Sequence, residues 1–360
     1  MTVPASIHII GARPNFMKAA PVIAALRSID ATPMLVHTGQ HYDAALSGVF
    51  FEQLGLPEPD RNLGVGSGSL ASQTGALMIA LEELYKAEKP AQVVVYGDIN
   101  STLAASIVAS QLQIPIAHVE AGLRSFDRTM PEEINRVVTD ALSSIHFTTS
   151  PEAADLLASE GASPDGVHFV GNPMIDTLIR FRDTLDTKAV KARFVLPDSY
   201  AVATLHRPSN VDQVAAARNI VEGLARVVNE LPVVLPLHPR GRSTLVDQGL
   251  LEVPGLIVTD PIGYLEFMAL MAGSAIVLTD SGGIQEETTV LGIPCLTLRD
   301  NTERPITVSM GTNTLVGNDP DRIFSAAKQF LAEPPVGRIP PLWDGRAGER
   351  IAAILVGDSH

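Results

Sequence analysis

Short runs of β-branched and other apolar residues alternate along this chain with longer stretches in which apolar positions recur every three or four residues. The continuous apolar runs read as strands covered on both faces, and the wider spacing reads as amphipathic helix. Strands are predicted at 7–10, 34–37, 93–96, 116–119, 145–148 and 167–170, and a second series at 201–205, 233–237, 256–258, 275–278 and 295–298. Helical spacing lies between them, as over 17–26, 102–112 and 264–271. Such alternation predicts βαβ units and parallel sheets, which makes the fold class α/β. Two series of strands predict two doubly wound, Rossmann-like domains. The charged stretch 180–199 holds no strand-like run, so the switch between domains is placed near Asn172-Pro173 or within that stretch.

Ligands of open α/β sheets sit beyond the carboxyl ends of the strands, and the polar residues of this chain cluster there. Arg13 and Lys18 follow the first strand, Asp98 the third and Glu120 the fourth. In the second half His206 and Arg207 follow one strand, His238 and Arg240 the next, and Ser281 a later one. The segment from Ser281 is the most specific. After an apolar strand, Ser281-Gly282-Gly283 opens a helix, so unpaired N–H groups and a close-approaching backbone suit a phosphate. Glu286 and Glu287 within that helix suit the hydroxyls of a ribose. The plainer reading is a tight strand-to-helix turn. Gly64-Val-Gly-Ser-Gly68 follows no predicted strand and has the wrong spacing for a dinucleotide fingerprint, so it reads as a loop.

Composition narrows the choice. The chain has 360 residues, room for two ordinary domains, and a formal net charge of -14. Nucleic-acid binding needs basic patches that release counterions, so no nucleic-acid partner is expected. Cys295 is the only cysteine, which excludes internal disulfides and Cys-based zinc sites. No basic segment leads into an apolar core at the N-terminus, and polar residues interrupt the uncharged stretch 99–119. The expectation is a cytoplasmic protein with no membrane insertion.

Eight segments in order complete the reading. They are Gly11-Ala-Arg-Pro-Asn-Phe-Met-Lys18, Thr38-Gly-Gln-His-Tyr-Asp43, Gly97-Asp-Ile-Asn-Ser-Thr102 and His118-Val-Glu-Ala-Gly-Leu-Arg124. Met130-Pro-Glu-Glu-Ile-Asn-Arg136, Thr204-Leu-His-Arg-Pro208, Thr279-Asp-Ser-Gly-Gly-Ile-Gln-Glu-Glu287 and Thr302-Glu-Arg-Pro305 follow. With them the chain resembles the non-hydrolysing UDP-N-acetylglucosamine 2-epimerase family over essentially its whole length. The resemblance implies a GT-B-like fold of two Rossmann-like doubly wound domains facing across a cleft. Residues 1–171 would form the first domain, with 345–360 packing back on it, and 172–344 the UDP-binding domain. It also implies a homodimer and a role in supplying surface-polysaccharide precursors. The implied reaction inverts C2 by eliminating UDP to 2-acetamidoglucal and adding it back, with no metal or redox cofactor.

The resemblance sets roles on this chain's residues. Asp98, Glu120 and Glu132 are expected to move the proton, and His206 to act near the leaving phosphate. Arg13, Lys18, Arg136, His238 and Arg240 are expected to contact the substrate. With them Ser281, Gly282, Gly283 and Glu287 would bind UDP. The plainer alternatives are Asp98 as a helix cap, Glu120 as a solvated loop acid, Lys18 as surface charge, and His238 and Arg240 in a helix-start or domain-interface role. Pro131 opens a helix, so the dipole alone favours Glu132 and Glu133 in its first turn. Asn15 and Ile306 stand where many relatives carry acids, departures that bear on sugar recognition. Tyr42-Asp43 differs from the pattern of members activated by a second UDP-N-acetylglucosamine. Related enzymes act on UDP-2,3-diacetamido uronic acids. A glycosyltransferase would need an acceptor groove, and a non-catalytic nucleotide-sugar sensor would have no use for the acids.

Overall fold

The computed structural model describes residues 6–39, 51, 53–66 and 68–357, without the side chain of Arg13. Tyr42-Asp43 therefore lies outside the described residues, as does the guanidinium of Arg13. The chain divides into two compact units, Met1–Arg180 with Pro341–His360, and Phe181–Pro340.

The first unit holds β1 (Ser6–Ile10), β2 (Met34–His37), β3 (Arg61–Asn62), β4 (Gln92–Tyr96), β5 (Ile116–Ala121), β6 (Ile145–Thr148) and β7 (Val167–Phe169). They form a parallel sheet in the order β3-β2-β1-β4-β5-β6-β7. The second unit holds β8 (Ala201–Thr204), β9 (Val233–Pro236), β10 (Leu256–Thr259), β11 (Ile276–Thr279), β12 (Cys295–Thr297) and β13 (Asn313–Leu315). Their order is β10-β9-β8-β11-β12-β13, again parallel. In each sheet the order reverses once, between β1 and β4 and between β8 and β11. That reversal parts the loops at the carboxyl ends and opens a crevice there.

The predicted strands are strands because their side chains are covered on both faces. Ile7, Val93 and Val95 pack with Leu77, Leu81 and Ala105 in one core, and Ala203, Leu235 and Leu278 with Ile220 and Leu224 in the other. Two strands gave no apolar signal. β3 is two exposed polar residues paired with β2. β13 begins with Asn313, buried because its side chain is satisfied by Thr297, Gln285 and Thr307. The stretch 180–199 holds the helix Thr187–Phe194, started by Asp186, whose carboxylate accepts from Ala189 N–H at 2.9 Å.

The last helix, Ala347–Leu355, packs on the helix Arg13–Ser28 of the first unit. Contact is close: a Cβ at Gly348 would lie 2.7 Å from the backbone of Pro21. Gly348 N–H donates to Asp176 at 2.7 Å, and the buried Trp343 indole donates to the Thr149 carbonyl at 2.8 Å.

Candidate active site

In the first unit the acids gather at the carboxyl end of the sheet. Gly97 follows β4 with φ of +61°, so the chain turns sharply into Asp98 in a conformation that favours glycine. The helix Asn100–Gln111 starts with Ile99, not Asp98, at the N-cap position. The Asp98 carboxylate pairs with Arg136 of the helix Pro131–Leu142, and Asn135 of the same helix donates to the Asp98 carbonyl at 2.8 Å.

Glu120 sits near the end of β5 with φ of +73°, and the pairing of β5 with β6 slips between Val119 and Ala121. A left-handed backbone at a residue other than glycine costs roughly 1–3 kcal/mol and persists only where its surroundings hold it. Lys18, 4% exposed, is part of what holds it: its ammonium pairs with the Glu120 carboxylate. The same nitrogen lies 2.8 Å from where a Cβ at Gly97 would be, so Lys18 bridges the two acidic turns. This is a buried charge and not a surface one.

Glu132 and Glu133 do occupy the first turn of the helix Pro131–Leu142. Glu133 is buried and accepts from Ser125 N–H at 2.9 Å, Phe126 N–H at 2.8 Å and Arg136 at 2.6 Å. Burial would raise its pKa, but those N–H groups and the guanidinium outweigh burial and hold it below the ordinary range. Glu133 thus anchors the loop before the helix and orients Arg136. Glu132 beside it is half-buried. Asn15 is spent on the backbone: it accepts from Gly11 and Ala12 at 3.1 and 3.3 Å and donates to the Tyr96 carbonyl at 2.8 Å. That departure from the acid of many relatives therefore serves the frame between β1 and β4. Ile306 is buried as well.

In the second unit the switch point is closed by Asp280, which follows β11. It accepts from the N–H groups of His206 and Arg207, both after β8, at 3.0 and 2.9 Å. It also lies 2.8 Å from Nδ1 of His206. A carboxylate can only accept, so Nδ1 carries a proton, and the His206 side chain is 41% exposed. Burial would raise the pKa of Asp280, but His206 and the two N–H groups hold it down. His238, after β9, lies with its ring centroid 6.3 Å from that of His206, and its Nδ1 accepts from Arg240 N–H at 3.1 Å. The Arg240 guanidinium pairs with Asp212 at 2.8 Å.

Ser281 is the N-cap of the helix Gly282–Leu291, and its side chain makes no capping bond. Gly282 is required by contact: a Cβ there would lie 2.4 Å from both Arg304 Nη1 and Glu303 Oε1. Glu303 pairs with Arg299 at 2.7 Å, Arg304 at 2.6 Å and Arg207 at 3.5 Å. Burial opposes its charge, but Arg304, Arg299 and Arg207 together hold it far below the usual carboxylate range. Gln285 ties the loop to the helix, accepting from Thr302 Oγ1 at 2.7 Å and donating to the Ser281 carbonyl at 3.2 Å. Gly283 is half-buried at the helix start. Glu287 is buried one helical turn on, accepts from the Tyr264 hydroxyl at 3.2 Å, and is pushed up to about 8. Burial is the main cause, Tyr264 opposes it and Glu286 adds to it.

Sequence reasoning passed over Asp280, Tyr264 and the pairing within Arg299, Glu303 and Arg304. Asp280 lies inside a quoted motif, and an acid directly after an apolar strand was the available signal. Tyr264 reaches Glu287 only through the fold. Among the described residues no group of three or more His, Cys, Asp or Glu is placed to hold a metal ion. Nor is any described helix long and apolar enough to cross a membrane.

Two doubly wound parallel sheets, each with its charged residues at the carboxyl ends beside a switch point, define a GT-B-like α/β protein with Rossmann-like units. A family model described as UDP-N-acetylglucosamine 2-epimerase matches residues 24–356, and the chain belongs to that family. The UDP-N-acetylglucosamine 2-epimerase of Methanocaldococcus jannaschii is 42% identical over 357 residues, covering 96% of this chain and 97% of that protein. The UDP-2,3-diacetamido-2,3-dideoxy-D-glucuronate 2-epimerase of Pseudomonas aeruginosa is 44% identical over 354 residues, covering 97% and 98%. The crystal structure of the M. jannaschii enzyme in complex with UDP-GlcNAc and UDP superposes with a TM-score of 0.91 at 41% identity, covering 98% of this chain and 99% of that one.

Proposed function

We propose that this protein inverts C2 of a UDP-linked 2-acetamido sugar, interconverting UDP-N-acetylglucosamine and UDP-N-acetylmannosamine. The observation that carries this reading is the pair of acids at the carboxyl ends of adjacent strands, Asp98 just after β4 and Glu120 near the end of β5, each held by a buried cation. A carboxylate takes the C2 proton as the C1–O bond breaks and its electron pair leaves with UDP, giving 2-acetamidoglucal. UDP then adds to C1 while a proton reaches C2 from the opposite face. Asp98, Glu120 and Glu132 carry these proton transfers. His206, whose Nδ1–H is held by Asp280, stabilises the leaving phosphate as an imidazolium, donating from Nε2 to offset the growing charge.

The helix start receives phosphate oxygens on the N–H groups of Gly282 and Gly283 and on the Ser281 hydroxyl, the Ser281 N–H being held by Thr279 Oγ1 at 3.0 Å. Glu287 receives the ribose hydroxyls, and Arg13 and His238 act on the diphosphate. Lys18 and Arg136 act through the acids they hold. The enzyme works as a homodimer in the cytoplasm and supplies precursors of surface polysaccharide.

A second reading has its own support, since the P. aeruginosa relative that acts on a 2,3-diacetamido glucuronate is as similar as the M. jannaschii enzyme. Incubation with each UDP-sugar separately, followed by proton NMR of the anomeric region, decides between them. Conversion of UDP-N-acetylglucosamine to the manno epimer is expected. Conversion of the diacetamido uronate alone would move the assignment to the second reading, and inversion of neither would overturn both.

A further inference from the structure

Beneath the two acidic turns lies a charged cluster that the reaction as described does not use. His118, in β5 and fully buried, places Nδ1 2.6 Å from Asp140 Oδ1 and Nε2 2.8 Å from the Gly97 carbonyl. Asp140 also receives Gly122 N–H at 3.1 Å and Arg124 at 2.6 Å. Burial would push the Asp140 carboxyl up, but His118 and Arg124 outweigh it and keep the group ionised. Both ring nitrogens of His118 therefore face groups that only accept. Only the doubly protonated ring satisfies both, because a neutral ring would turn a lone pair on one of them. Around it, Glu160 takes the far side of Arg124 at 2.6 Å, and His146 of β6 donates to the Asp140 carbonyl at 2.9 Å.

We propose that His118 is a positioning residue, hydrogen-bonded through both ring nitrogens, which with Asp140 clamps both turns that carry the proton-moving acids. One arm holds the Gly97 carbonyl, directly before Asp98. The other runs through Asp140 to Gly122 N–H, two residues after Glu120. The role rests on the reading that Asp98 and Glu120 act at C2. A shift of about 1 Å at either acid is enough to lower the rate about 100-fold.

Two measurements test it. Nitrogen NMR of the UDP-free protein with labelled histidine should show both His118 ring nitrogens acting as hydrogen-bond donors, as two fixed acceptors require. A ring nitrogen that donates no hydrogen bond would overturn the proposal. For the clamp, His118→Asn keeps a donor near Asp140 but cannot reach Gly97, whereas His118→Gln reaches toward Gly97. His118→Asn should lower kcat about 100-fold with UDP affinity and KM within about twofold of wild type, and His118→Gln, which restores only the Gly97 arm, should recover part of that loss. A wild-type rate in His118→Asn, or equal losses in both variants, would also overturn it. Should His118→Asn fail to fold, the NMR result on the wild type decides. If the wild type inverts no UDP-sugar, the proposed function falls while the protonation of His118 is still read directly.

Discussion

Replacing Glu287 by Gln tests the ribose end of the proposed site, and its size follows from one buried carboxyl. In the free protein burial pushes Glu287 up to about 8. At pH 7 about one molecule in ten then carries the carboxylate, and at pH 9 about nine in ten. Ribose hydroxyls donate most strongly to the ionised form. Apparent affinity falls by the fraction that is competent, so UDP should bind about tenfold more tightly at pH 9 than at pH 7. Binding at pH 7 should also expel close to one proton from this residue. Glu287→Gln keeps an acceptor for the Tyr264 hydroxyl but has no proton to lose. Its affinity should be roughly 1.5–3 kcal/mol below that of the ionised wild type and should lack the rise.

Calorimetry in two buffers of different ionisation enthalpy, from pH 7 to pH 9, measures both quantities. Titration of UDP itself is common to the two proteins and cancels in the comparison. Equal proton release and equal pH dependence in wild type and variant would remove Glu287 from the site. Stability carries the opposite sign. The folded pKa of about 8 lies above the ordinary 4.5, so the unfolded chain gives up a proton that the folded one keeps. The ligand-free protein should therefore lose stability as pH rises between those values, and Glu287→Gln should lack that part of the loss. A carboxyl that weakens the empty protein is understandable if a ligand uses it.

Asp98→Asn should bind UDP nearly as the wild type does and exchange the C2 proton about 10²–10⁴-fold more slowly; equal exchange rates would leave Asp98 a structural residue. Asp280→Asn can turn an amide N–H toward His206 and upset its tautomer, so kcat should fall and the alkaline or acidic limb of the pH profile should move. An unchanged profile would show that Asp280 only ties the two loops together. Gly282→Ala puts a methyl 2.4 Å from Arg304 and Glu303, so UDP affinity measured by calorimetry should drop and the melting temperature should fall. Wild-type values for both would mean the helix start is looser than its contacts imply.

Strand positions were legible because doubly wound sheets bury both faces, leaving apolar runs such as that at Val93–Val95 with little ambiguity. What escaped was decided by partners distant in sequence. β13 is held by hydrogen bonds of Asn313 and not by apolar burial, so periodicity has nothing to detect there. The alternating role of Glu132 and Glu133 was visible as a helix start, but that Glu133 grips Ser125 and Phe126 depends on how the preceding loop folds back. Lys18 looked like a residue for phosphate because it follows a strand; burial against Glu120 comes from the helix Arg13–Ser28 lying beside β1 and β4. Asp140 gave no signal at all, since its partners His118 and Arg124 lie in another motif.

The central claim is that C2 is inverted by proton exchange with the protein while UDP departs and returns. It is tested most directly by running the wild-type protein with UDP-N-acetylglucosamine in deuterated water and following C2 by NMR. The account predicts that the manno epimer appears with deuterium at C2, and that deuterium also enters the gluco substrate as the reaction approaches equilibrium. A manno product that retains the original proton at C2, or no turnover in a protein that still binds UDP, would contradict it.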